Sequence, residues 1–278
     1  MIRTKRKIKK KQIFLPIINM IVGILIISPI LYALGVSLME PGQIFEYPPK
    51  IIPKSFYIQN YKEVLKSVPI IKYLFNSMVV SIAVTVGQVI MASLAAYAFS
   101  FFEFKGKNFL FMMILSTMMI PWEATIIANY LTISSWGWLD TYQAFIVPYL
   151  TTAMGIFLMR QYYLTLPKEL QEAATIDGCG NFRFFTRIVV PLSKPAVGSL
   201  GVYAFLSIWN QYLWPLLITN NDKMRTVQIG ITRLQDAEAQ AFGVVMAGIM
   251  WVLFPSILVF ILGQKQLLSG MTSGAVKG

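Results

Sequence analysis

Histidine is missing from the sequence altogether, and cysteine occurs once, at Cys179. A chain without imidazole cannot build a histidine-based catalytic triad or a histidine metal site, and one thiol cannot close an internal disulfide. Charge is scarce too: Asp, Glu, Lys and Arg make up 13% of the 278 residues, well below the ~25% of an ordinary soluble domain. No G-x-x-x-x-G-K-[ST] segment occurs, so the glycine-rich loop that cradles nucleotide phosphates in many ATPases is absent. Paired carboxylates in an apolar stretch are missing as well, which argues against an intramembrane enzyme.

Apolar residues fill the space, at 56% of the chain. Runs 13–39, 76–102, 141–159 and 241–264 carry no charge, and a helix needs about 20 such residues to cross a bilayer. Two further stretches are interrupted, one by Glu123 and one by the polar pair Asn210 and Gln211. The pattern predicts six spans, at 13–37, 76–101, 108–129, 142–160, 196–218 and 241–263. They belong to one transmembrane domain over 13–263, between a basic N-terminus at 1–12 and a tail at 264–278.

The opening "MIRTKRKIKKKQ" is basic and free of acid, which favours a cytoplasmic N-terminus. An even number of spans returns the C-terminus to that side. The apolar run that follows is too long for a signal peptide, so it reads as an anchor. The net charge of +12 sits largely beside spans, where anionic lipid accounts for it without nucleic acid.

The outer loop at 40–75 begins with "EPGQIFEYPPKIIPKSF", whose Pro and Gly forbid a long helix, and continues into a stretch that suits a short amphipathic one. Small residues recur in helical register at Ala83, Gly87, Ser93, Ala96 and Ser100, and again at Gly243 and Ala247. Such faces let membrane helices approach closely. The general abundance of Ala and Gly in membrane helices accounts equally for any single pair.

The inner segment 161–195, "QYYLTLPKELQEAATIDGCGNFRFFTRIVVPLSKP", is unlike the spans around it. Pro167 and Glu169 suit a first turn and Gly178 the position after a last one, predicting a helix over 167–177. A second helix is expected over 181–190, stopped by Pro191, with Phe182, Phe185 and Val189 on one face and Arg183 and Arg187 on another. Helices this short are marginal in water, so they need a surface to dock on. Either they pack on their own bundle, or the thin face of Ala173 and Ala174 lets another protein approach the backbone.

Glu172-Ala173-Ala174, three residues, Gly178, nine residues, then Ile188-x-Val190-Pro191 resembles the EAA loop of binding-protein-dependent ABC importers. That loop reads E-A-A, three residues, G, nine residues, I-x-L-P; Val190 replaces the usual Leu. "NYKEVL" (60–65), "NS" (76–77), "WNQYLWPLL" (209–217) and "GMTSGAVKG" (270–278) are similar to the carbohydrate branch, in particular to the second permease subunit of maltose-type and glycerol-3-phosphate-type systems.

The resemblance covers nearly everything after residue 13. It implies an all-α integral membrane protein of the bacterial inner membrane, with the six-span architecture of a type I importer and a cytoplasmic EAA coupling loop. It implies a non-enzymatic subunit without a cofactor, ATP and Mg being bound by a partner. The partners implied are a homologous second permease subunit, two cytosolic ATPase subunits, an extracytoplasmic substrate-binding protein and membrane lipid. By the same resemblance Glu172 and Asp177 make polar contacts to the ATPase, while Ala173, Ala174 and Gly178 allow a close fit. The tail 270–278 is expected to reach the ATPase and the outer loop 219–240 the binding protein. The implied solute is a sugar, an oligosaccharide, a polyol or glycerol-3-phosphate.

Polar groups inside the apolar stretches are the candidates for the solute path. Glu123 follows Pro121, which distorts a helix, and a carboxylate at membrane depth costs ~3 kcal/mol unless it faces protein or water. It reads as a packing or gating group ahead of a direct ligand. Asn210, Gln211 and Tyr212 suit sugar hydroxyls, with Trp209 or Trp214 stacking on a pyranose, or they serve neighbouring helices. A secondary transporter, the rival reading, needs several ionisable groups in its spans, and only Glu123 is available.

Overall fold

The computed structural model describes residues 10–237 and 241–272, with side chains described for 14–235, 241–267. The basic residues at 1–9, Glu238 and most of the tail motif lie outside the described residues. Every regular element described is helical. The helices used below are α1 (Lys10–Ser37), α2 (Gln59–Ser67), α3 (Ile70–Phe101), α4 (Lys107–Ser116), α5 (Trp122–Ser135), α6 (Tyr142–Ile146) and α7 (Ala153–Tyr163). After these come α8 (Glu169–Ile176), α9 (Asn181–Leu192), α10 (Lys194–Trp209), α11 (Leu213–Ile218), α12 (Val227–Ala237) and α13 (Phe242–Thr272).

Contacts divide the chain into two units, 1–68 with 231–251, and 69–230 with 252–278. In the first, α1 exposes apolar side chains on every side through most of its length, as a helix facing lipid tails does. Its C-terminal end is tied down by α2. The buried Asn60 amide donates to the Ser37 and Met39 carbonyls at 3.0 and 2.9 Å, satisfying groups that the end of a helix leaves open. Gly243 lies against Asn60 so closely that a Cβ there would stand 2.6 Å from its Nδ2. The small residue read from the sequence at 243 therefore serves a polar side chain as well as helix packing.

In the second unit α3 is the central helix and packs mainly against α7 and α10. One apolar cluster gathers Ala92, Ala96, Tyr97, Met159, Tyr163 and Leu200, and another gathers Val80, Val84, Phe145, Trp214 and Ile218. The small residues of α3 have work here. Ala96 is fully buried, and a Cβ at Gly87 would stand 2.3 Å from Leu150 Cδ2.

Among the described residues three helical stretches, Phe14–Ser37, Ile70–Phe101 and Phe242–Leu267, are long and apolar enough to cross a membrane, and up to six if each of three bent pairs counts as one span. The stretch expected at 108–129 is broken: 107–119 and 122–135 meet at 96°, where Pro121 has no N–H to continue a helix. The stretch expected at 196–218 is not one helix either. α10 ends at Trp209, and Asn210, Gln211 and Tyr212 lie between it and α11.

The segment 161–195 also differs from its reading in two details. Its first helix starts at Glu169. Its second passes through Pro191 to Leu192, because Phe185–Val189 is wound as a π-helix. That wider turn gives the proline ring room it lacks in a regular helix. At Ser193 the chain then bends by 76° into α10.

Candidate functional site

The segment that stood apart in the sequence folds as a short helix with a firm stop. Beyond Ile176, Gly178 takes φ +70°, a region open to glycine at little cost. Its N–H donates to the Thr175 carbonyl at 3.1 Å, and the Cys179 N–H reaches back to Ala174 at 2.8 Å. These two bonds are those of a Schellman cap, which satisfies the last carbonyls of α8. The turn is thus set by glycine geometry rather than by surrounding side chains, since nothing lies within 4 Å of a Cβ placed at Gly178.

The two alanines part company. Ala174 is buried in the cluster that holds Tyr97, Phe184, Phe185 and Val189, so it packs on the chain's own bundle and not on the open face expected of it. Glu172, Ala173, Asp177 and Gly178 are exposed. Neither acid makes an ion pair among the described residues. The Tyr97 hydroxyl donates to the Asn181 carbonyl at 3.0 Å, fastening the loop to α3.

Phe182 was expected on the packed face but is 75% exposed, while Phe184 takes the inward place. Ile176, passed over in the sequence, is 86% exposed. It follows Ala173 by three residues, so helical spacing alone could have put it on the same face. The result is a rim of Glu172, Ala173, Ile176, Asp177 and Phe182 carried on a base of buried aromatic rings.

The candidates for the solute path separate in the same way. Glu123 occupies the first turn of α5, after the break at Pro121, and is exposed. A carboxylate there meets the free N–H groups of a helix N-terminus, a favourable place for negative charge. Next to it the Trp122 ring lies 4.8 Å from the ring of Tyr149 and 5.7 Å from that of Trp214. The Tyr149 hydroxyl is buried and makes no hydrogen bond of ordinary geometry. Gln211 stands beside it, and Glu123 is near enough to act on it electrostatically.

Gln211 and the Trp122 ring thus adjoin Tyr149, a residue the sequence reading did not single out, and Glu123 is the chain neighbour of Trp122. Asn210 is not part of this group: its side chain donates to the Leu206 carbonyl at 2.8 Å and closes the end of α10. Tyr212 is exposed at the start of α11. Stacking of a sugar on Trp209 or Trp214 is overturned. Both are 1% exposed, and their ring N–H groups donate to the Val252 and Ala144 carbonyls at 3.2 and 3.0 Å.

The family described as the binding-protein-dependent transport system inner membrane component matches residues 88–266, a stretch holding both the α8 turn and the Tyr149 group. The chain belongs to that family. It is a permease subunit of an ABC importer, as the EAA spacing implied. Similar relatives are the sn-glycerol-3-phosphate transport system permease proteins UgpE of Brucella melitensis biotype 1 and of Rhizobium meliloti. They are 39% and 37% identical over 262 residues, spanning 91% of this permease and 93% of each relative. One chain of a bacterial ABC transporter involved in the import of the acidic polysaccharide alginate superposes with a TM-score of 0.83. At 22% identity it spans 95% of the permease and 99% of that chain, which shows the shared fold.

Proposed function

We propose that this permease is one of two homologous membrane subunits of an importer for glycerol-3-phosphate or a related sugar or polyol, with the rim at 172–182 seated on a cytosolic ATPase. The names of its relatives support the solute class. One observation carries the coupling: the rim is exposed while its base is fixed. A push on Ile176 or Phe182 passes through Ala174, Phe184 and the Tyr97–Asn181 bond into α3 and α10, since close-packed interiors transmit displacement. ATP with Mg is bound and hydrolysed on the partner, and closure of two ATPase subunits rocks the spans between inward and outward access.

Both termini lie in the cytoplasm on this reading. The loop after α11 faces the substrate-binding protein, which filters the solute first. Glu123, Gln211 and Tyr149, with Trp122, form a constriction on the solute path, and Glu123 acts there as a gating group.

The test is reconstitution in liposomes with the second permease, the ATPase pair and the loaded binding protein. ATP-dependent glycerol-3-phosphate uptake is expected only with all components present. Uptake by this chain alone ends the reading, and uptake of maltose but not glycerol-3-phosphate by the full set replaces the solute. For sidedness, Asn220→Cys in a Cys179→Ala background should react with an impermeant maleimide added outside.

A further inference from the structure

A cavity of about 430 Å3 opens where the turn between α3 and α4 meets the end of α7, lined by Glu103, Phe104, Lys107, Asn108, Phe109 and Arg160. Its lining includes none of the rim residues and none of the Tyr149 group. Its two cations are held in place. Arg160 donates through Nε to the Phe99 carbonyl at 3.2 Å, and its guanidinium stands 4.1 Å over the Phe111 ring. The terminal nitrogens of Arg160 have no partner among the described residues. The Lys107 amine donates to the Phe102 carbonyl at 2.7 Å and to Glu103 at 3.1 Å, with its side chain only 14% exposed.

Glu103 is the weak member of the set. Its side chain is 90% exposed, and an ion pair so open to water holds its acid loosely. An arriving anion therefore meets two fixed cations and one carboxylate free to swing away. The planar guanidinium, with the four N–H donors of its two terminal nitrogens unspent, matches the geometry of phosphate oxygens.

What leaves the cavity is apolar. Phe109, Met112 and Met113, spaced at i, i+3 and i+4 on α4, are 68%, 65% and 52% exposed. A free anion has no use for that stripe, whereas an amphiphile needs both parts. We propose that this cavity binds the phosphate of an anionic phospholipid, with an acyl chain laid along Phe109, Met112 and Met113. The site fixes lipid at the joint between α3, α4 and α7. It requires only that this joint lie at a membrane surface, whichever leaflet that is, so it stands apart from the coupling reading above.

The test uses the assembled transporter in nanodiscs that mix phosphatidylglycerol and phosphatidylcholine of identical chains, with retained lipid counted by native mass spectrometry. The wild type is expected to retain phosphatidylglycerol in preference. Arg160→Gln and Lys107→Gln should each lower that retention about fivefold, the worth of one basic residue beside an anionic headgroup. Lys105→Gln, the same charge change at an exposed residue outside the cavity, should leave it unchanged. Gly106 offers a variant pair that spares both cations: its φ is +81° and a Cβ meets nothing within 4 Å. Asn and Asp tolerate that conformation alike, so Gly106→Asp should expel the lipid and Gly106→Asn keep it. Equal retention in Gly106→Asp and Gly106→Asn, or in Arg160→Gln and wild type, overturns the site. Full displacement by inorganic phosphate makes it a free-anion site and overturns the lipid.

Discussion

Tyr142 donates its hydroxyl to the side-chain carbonyl of Asn76 at 2.8 Å, across 66 residues of chain. The Asn76 amide in turn donates to the Lys223 and Arg225 carbonyls at 2.9 Å each, and Ser77 next to it accepts the Val227 N–H at 2.9 Å. One buried asparagine thus fastens α3, α6 and the loop after α11. Asn76→Leu leaves a hydroxyl and two carbonyls without partners, at a cost of about 2–4 kcal/mol. A lower midpoint of thermal unfolding in detergent is expected, with faster tryptic cleavage after Lys223 and Arg225. Unchanged midpoint and cleavage would mean the loop is held by other contacts.

A second prediction concerns pH at the loop after α1. Glu46 accepts hydrogen bonds from Lys50 and Lys54 at 2.5 and 2.6 Å, and these hold its carboxyl at about 2, below the usual 4.5. A lowered folded value means that the pairing supports the loop fully above the ordinary glutamate range and is lost as pH falls toward that lower value. A carbon-13 titration of the Glu46 carboxyl should show this low midpoint, and Lys50→Ala with Lys54→Ala should return it to the ordinary range. A wild-type carboxyl that already titrates in the ordinary range defeats the prediction.

The crossing of α10 and α13 supplies a third. A Cβ on Gly263 would stand 2.1 Å from Val202 Cγ2, and a valine cannot swing its methyl away as a longer side chain can. Gly263→Ala should destabilise by about 1–3 kcal/mol, as overpacking does. Val202→Ala in the same chain should recover much of that loss, because the two sites share one contact. Additive losses in thermal unfolding would show that the helices do not cross here.

Several of these features were legible beforehand, and the reasons are physical. Long uncharged runs announce spans, and a glycine after a helical stretch announces a cap, so the runs around α1, α3 and α13 and the Gly178 turn were readable from spacing. The inward turn of Ala174 was not, because two adjacent alanines look alike until the bundle behind one of them is known. Phe182 misled because Phe182 and Phe184 are equally apolar in the turn before Phe185, and spacing alone does not say which of the two faces the bundle. Trp209 and Trp214 misled for another reason: a polar, aromatic string suits a sugar, and it equally suits rings whose N–H groups close on carbonyls inside the fold. The Tyr149 group draws on three separated segments, at 122–123, 149 and 211–214, so no local spacing carried it.

The last prediction concerns Gly178 and separates folding from coupling. Its φ of +70° strains any residue with a branched Cβ, while the space around it is empty. Gly178→Val therefore costs about 1–2 kcal/mol in backbone strain alone, and Gly178→Asn costs less. That is small for a membrane bundle and large for a turn that, on the proposed reading, fits a cleft of the ATPase. Gly178→Val should reach the membrane at near-normal levels, co-purify poorly with the ATPase and lose binding-protein-stimulated ATP hydrolysis. Glu172→Lys, which reverses an exposed charge on the rim, should do the same without touching the turn. Glu123→Gln, far along the chain in the Tyr149 group, should keep ATPase association whatever it does to uptake. Full ATPase pull-down and full uptake in both loop variants would show that the rim is not where the permease meets its motor.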